Sequence, residues 1–118
     1  MIEFEAIVVQ ASDEGYTMSI ETRSVDDLPD DAVLIDVSFS CVNYKDALSA
    51  SGKPGLTKSY PHTPGIDAAG VVVSSSDPSF APGDSVTVTD YDLGVNTPGG
   101  WGGMIRVPAA WVALLPDG

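Results

Sequence analysis

The chain has 118 residues, 43% of them hydrophobic, which is enough for one core of ordinary size and predicts a single domain. Its formal net charge is −12, from 17 acidic residues against 5 basic, which argues against nucleic acid or an anionic membrane surface as partner, since both need net positive contacts. A single cysteine, Cys41, rules out an internal disulfide. With no signal peptide or membrane-length apolar run, it predicts a soluble protein in a reducing, cytoplasmic setting.

In chain order, residues 5–10 are expected as an apolar strand, and residues 11–15, rich in turn formers and ending in Gly15, as a turn. Residues 16–23 alternate as a half-buried strand should, with Tyr16, Met18 and Ile20 on one face and Thr17, Ser19 and Glu21 on the other, so the pair reads as a hairpin. The acidic run 26–31 is expected as a solvated loop rather than a metal site. A long strand over 32–42 follows, with Val33, Ile35, Val37 and Phe39 on one face.

That strand ends in a polar quartet, Asn43-Tyr44-Lys45-Asp46, which can cap and open a short helix continued by 47–50 and stopped by Gly52, Pro54 and Gly55. Functional side chains therefore emerge where a strand gives way to a helix, a junction at which folds place ligand contacts. Pro61, Pro64 and Gly65 fix a stiff path into a strand over 66–75, and His62 is expected as an exposed loop histidine. Residues 43–65 carry a local charge of +2 against −14 elsewhere, a reversal that a phosphate-bearing ligand could use, although lysines such as Lys45, Lys53 and Lys58 on a loop also serve solubility.

Turns at Asp77-Pro78 and over 81–84 bracket the approach to a strand at 85–89. Residues 90–100 read as a loop, and 104–107 and 111–115 as the last strands. Short strands at this spacing predict a barrel or sandwich. Trp101, between Gly99-Gly100 and Gly102-Gly103, is placed on a flexible segment and is read as covering the barrel mouth rather than lining a pocket. The glycine cluster is not a dinucleotide fingerprint, because Ile105 stands where G-x-G-x-x-G begun at Gly100 needs its last glycine. With one histidine and one cysteine, no Ser/His/Asp or Cys/His constellation is expected.

Taken in order, Asn43-Tyr44-Lys45-Asp46, Pro61-x-x-Pro64-Gly65-x-Asp67-x-x-Gly70, Asp77-Pro78, Gly83-Asp84-x-Val86, and Gly99-Gly100 leading to Arg106-Val107-Pro108-Ala109 resemble the medium-chain dehydrogenase/reductase superfamily. The branch they resemble is that of the quinone-oxidoreductase-like acrylyl-CoA reductases. The resemblance spans nearly the whole chain and implies a mainly β, GroES-like, partly open β-barrel with one or two short helices. Residues 1–118 would be the N-terminal domain of a two-domain enzyme, in which NADPH is bound mainly by a Rossmann domain absent from this chain.

The resemblance further implies reduction of an electron-poor double bond, in a 2-enoyl-CoA such as acrylyl-CoA or in a quinone. Asn43 would position the nicotinamide or the substrate carbonyl, and Tyr44 would contact the cofactor and deliver a proton. Asp46 would belong to the cofactor site chiefly by fixing the quartet's geometry, and Asp67 would be structural. A homodimer of the full-length protein is among the assemblies that the resemblance allows.

Zinc-dependent members of the superfamily carry a cysteine three residues before the aspartate and a Gly-His-Glu triplet further on, whereas these positions here hold Asn43 and Gly65-Ile66-Asp67, so no metal is expected. Gly102-Gly103 also departs from the branch, which has a glutamate there. The chain ends where the resembling enzymes enter their cofactor domain, so it is expected to be a fragment that is inactive alone. The alternative is a free-standing GroES-like β-barrel that binds a partner without catalysis.

Overall fold

A computed structural model describes residues 2–13, 15–52, 57, 60–89 and 92–116. Among these residues the strands are β1 (Glu3–Ser12), β2 (Gly15–Ser24), β3 (Val33–Phe39), β4 (Asp67–Ser75), β5 (Ser85–Thr89), β6 (Met104–Val107) and β7 (Val112–Leu114), with one α-helix, α1 (Tyr44–Ala50). β1 and β2 form an antiparallel ribbon, while the other strands form a five-stranded sheet in the order β6-β3-β4-β5-β7. Both sheets are open. The partly open barrel expected from the sequence takes this form, with β1 bridging to Gly102 from Ala6 and to His62 from Val9.

The main core follows from period-2 alternation. Val33 and Ile35 of β3, Ala68 and Val72 of β4, Val86 and Val88 of β5, and Ile105 and Val107 of β6 meet on one face of the sheet with Leu93. β3 is also covered on its other face, where Leu34 packs with Val25, Leu28 and Met104. Gly70 lies opposite Val37, and a Cβ there would overlap the Asp36 carbonyl, so only glycine lets β4 lie this close to β3.

Four expectations need correction. The acidic run opens with a 3-10 turn, Val25–Asp27, because the Asp27 carboxylate accepts the Ser24 N–H at 3.0 Å and the Ser24 hydroxyl accepts that of Asp26 at 3.2 Å. The strand expected over 32–42 stops at Phe39, before Ser40 turns to bond Asp67, and the last strand is shortened by a 3-10 turn at Ala109–Trp111. His62 is buried rather than exposed, because its backbone pairs with Val9 and its ring Nε2–H donates to the Gly94 carbonyl at 2.7 Å. Burial lowers its pKa from 6.5, against the smaller raising effects of that carbonyl and of Asp92. Pro54 and Gly55, expected to stop α1, and Lys53 and Lys58 of the local positive charge lie outside the described residues. No helix among the described residues is long and apolar enough to cross a membrane.

Candidate functional site

The quartet sits where the sequence predicts, at the passage from β3 into α1. Asn43 occupies the N-cap position in extended backbone, φ −118° and ψ 165°, and Tyr44 begins the helix. Asp46, three residues on, is fully buried, with every hydrogen bond internal. Its Oδ2 accepts the Asn43 backbone N–H at 2.8 Å, and its Oδ1 accepts those of Ile66 at 2.8 Å and Gly65 at 3.1 Å. One carboxylate thus ties the start of α1 to the Pro64-Gly65 path.

A second carboxylate braces the same residue from the other side. Asp67, at the start of β4, accepts the Asn43 side-chain Nδ2–H at Oδ2 (3.0 Å) and the Cys41 backbone N–H at Oδ1 (2.8 Å). The Asn43 amide nitrogen also lies 3.4 Å from Asp46 Oδ2, so it is held between two carboxylates. Tyr44, in contrast, is 80% exposed. The four residues therefore divide into Asn43, held in place, Asp46, its buried support, and Tyr44 and Lys45, which project to the surface.

Beside the quartet lies a groove of about 680 Å³ that alternation did not foresee. Its apolar lining comes from Ile7 on β1, Met18 and Ile20 on β2, Val37 and Phe39 on β3, and Val42 and Trp101 on the connections. Tyr16, Met18 and Ile20 share a face as predicted, yet that face is exposed rather than half-buried: Tyr16 packs against the Tyr60 ring with centroids 5.0 Å apart, while Met18 and Ile20 open onto the groove. The row Val33, Ile35, Val37, Phe39 likewise leaves the core after Val37 and runs into the groove, with Phe39 77% exposed. Among the described residues no charged side chain lines the groove, on a chain carrying 17 acidic residues, so an uncharged ligand surface suits it.

Trp101 lines this groove on a segment that is pinned, not flexible. Its backbone N–H donates to the Pro64 carbonyl at 3.0 Å, its carbonyl accepts the Ile7 N–H at 3.0 Å, and its indole N–H reaches the Cys41 carbonyl at 3.3 Å. The glycines around it serve close packing: Gly99 N–H and Gly100 N–H bond Thr63 O and Gly65 O at 2.8 and 2.9 Å, and a Cβ on Gly100 would overlap the Asp67 carbonyl. The exposed apolar residues were the signal that sequence reading passed over. Among the described residues no three His, Cys, Asp or Glu side chains are grouped to hold a metal ion.

A β-rich domain with a strand-to-helix polar quartet beside an uncharged groove is the class that this geometry defines. The chain belongs to the alcohol dehydrogenase GroES-like domain family, which matches residues 29–117, and the medium-chain dehydrogenase/reductase resemblance is borne out. It is 43% identical over 114 residues to the putative quinone oxidoreductase YhfP of Bacillus subtilis, covering 97% of this chain and 34% of that protein. It is 42% identical over 117 residues to the acrylyl-CoA reductase AcuI of Ruegeria pomeroyi, covering 98% and 36%.

The crystal structure of Bacillus subtilis yhfP with NAD bound superposes with a TM-score of 0.93 at 42% identity, over 99% of this chain and 36% of that one. The yhdH oxidoreductase of Salmonella enterica in complex with NADP gives 0.91 at 36% identity, over 96% and 35%. The chain thus spans about a third of the length of the curated relatives it matches.

Proposed function

We propose that this chain is the N-terminal domain of a zinc-independent, NADPH-dependent oxidoreductase that reduces an electron-poor double bond in a 2-enoyl thioester or a quinone. The observation that carries this reading is Asn43, braced from behind by Asp46 and Asp67, with Tyr44 exposed beside it next to an uncharged groove. Relatives named as a quinone oxidoreductase and an acrylyl-CoA reductase support the substrate class, and a relative crystallised with NADP supports the cofactor. The Rossmann half of such an enzyme would lie in the remaining two-thirds of the length these relatives have. A cytoplasmic setting goes with the reading, supported by the free, exposed Cys41.

The residues present fit a nicotinamide cofactor. Asn43 is a rigidly held amide, Tyr44 offers an exposed ring and hydroxyl, and the groove has room for an uncharged planar ring. NADPH, when bound, supplies the hydride. Asn43 positions the nicotinamide end, Tyr44 contacts the cofactor and delivers the proton from its hydroxyl, and the apolar walls built by Phe39, Val42 and Trp101 exclude water from the reacting atoms. Asp46 acts through Asn43. The zinc-independent part rests on Asn43 and Ile66 standing where zinc ligands are found in metal-dependent relatives of the superfamily.

The test is NADPH oxidation by the full-length protein with a short 2-enoyl thioester and, separately, a quinone. Substrate-dependent loss of NADPH with either is expected. Binding of NADPH with no turnover of either class would overturn the reading.

A further inference from the structure

We infer that Asp67 is a positioning residue that fixes the amide of Asn43 in one orientation and so makes Asn43 a hydrogen-bond acceptor, never a donor, toward the ligand. The inference rests on the nicotinamide reading above and deepens it. Which end of the Asn43 amide faces Asp67 and Asp46 is decided by charge, since a carbonyl oxygen turned to two carboxylates would set like partial charges together, whereas an NH2 donates to both. Both amide protons are then committed, one at 3.0 Å and one at 3.4 Å. Oδ1, which faces the Asp46 backbone N–H in the capping box, keeps a second lone pair and is the one atom of that amide left to meet a ligand.

This removes one role that the sequence left open. Asn43 cannot donate to the carbonyl of a substrate, where charge develops on reduction, so that duty falls to Tyr44. What Asn43 can recognise is an N–H or O–H donor at the nicotinamide riboside end of the cofactor, either the carboxamide or a ribose hydroxyl.

The lock has a specific weakness. Asp67 Oδ1 accepts the Cys41 backbone N–H at 2.8 Å, a donor that cannot turn away. An asparagine at 67 must keep its oxygen on that N–H and therefore aims its own NH2 at Asn43. Two NH2 groups cannot face each other, so the Asn43 NH2 loses its acceptor at residue 67 and keeps only the 3.4 Å contact to Asp46 Oδ2, with almost no change in volume. Asp67→Asn thus frees one amide proton of Asn43 and loosens the lock on its orientation without touching the groove.

The experiment has two readouts on the full-length protein. Without cofactor, solvent exchange of the Asn43 side-chain amide protons is followed by NMR in wild type and Asp67→Asn, and we expect exchange to be about tenfold faster in the variant as its NH2 reaches water. With cofactor, calorimetry measures the affinity of NADPH and of its reduced 3-acetylpyridine analogue, which has a methyl group in place of the amide NH2. Asp67→Asn should bind NADPH about tenfold more weakly, the value of one net hydrogen bond. If wild type prefers NADPH over the analogue and the variant does not, the carboxamide is the donor; an equal loss with both assigns a hydroxyl.

Asp67→Ala, which also frees the amide, gives the same readouts if Asp67→Asn does not fold. Unchanged exchange together with unchanged affinity would overturn the inference. Wild type that fails to bind NADPH would instead contradict the nicotinamide reading, while the exchange comparison still decides whether Asp67 locks Asn43.

Discussion

The fully buried carboxylate of Asp46 accepts the backbone N–H of Ile66 at 2.8 Å, and through this contact the start of α1 and the path into β4 are held as one unit. Two elements far apart in sequence are joined at the point where the candidate site begins. The same side chain also takes the N–H groups of Asn43 and Gly65.

Asp46→Ala should therefore act on stability first. It strands three backbone N–H groups in or near the interior, and each unsatisfied donor costs about 1–3 kcal/mol. A loss of at least about 3 kcal/mol in urea unfolding is expected. A change smaller than 1 kcal/mol would show that the bonds are replaced by water.

Gly70→Ala should be destabilising by about 2 kcal/mol or more, because its Cβ meets the Asp36 backbone carbonyl and the strands must part. Gly83→Ala makes a useful contrast. Its Cβ meets nothing within 4 Å, and its cost is confined to a φ of +95° that alanine accepts poorly. Thermal melts of the pair should rank Gly70→Ala as the more damaging, and the reverse order would contradict the packing described.

The buried histidine predicts the sign of a pH effect. Burial lowers the folded-state pKa of His62 below 6.5, so protonation favours the unfolded chain. Its contribution to stability is complete above about pH 6.5 and is lost as pH falls from there towards the folded value, with a slope of up to about 1.4 kcal/mol per pH unit. Unfolding midpoints at neutral and mildly acidic pH should show wild type losing more stability on acidification than His62→Gln. An equal loss in both would remove His62 from the account.

The strand and helix positions were legible because alternation and turn residues act locally. Val33, Ile35, Val86 and Val88 announce their burial by period, and Asn43 and Asp46 announce a helix start by their spacing. The environment of several residues was not legible, because it depends on what covers a face. Met18, Ile20 and Phe39 look like core residues in a strand pattern and instead line the groove, since nothing in the described chain packs over them. His62 reads as a loop residue beside prolines, yet a bridge to Val9 carries it inside. Asp67 looked structural, and its bond to Asn43 emerges only when β4 is laid against the end of β3.

Metal analysis of the purified protein should find no stoichiometric zinc. The motive is chemical: Asn43, with its amide nitrogen donating to Asp67, stands where the superfamily's zinc enzymes have a thiolate ligand. One zinc per chain that resists chelator would contradict this.

The most direct test of the central claim, that the quartet forms the chemical edge of a nicotinamide-dependent site, is steady-state kinetics of Tyr44→Phe and Asn43→Ala in the full-length protein, with NADPH and a short 2-enoyl thioester both varied. Tyr44 is 80% exposed, so its substitution should leave the fold intact. Losing its proton-donating hydroxyl should lower kcat by about a hundredfold, or roughly 3 kcal/mol. Asn43→Ala should chiefly raise the KM for NADPH, with less effect on turnover. Wild-type rates in both variants, with unchanged cofactor affinity, would remove the quartet from the active site.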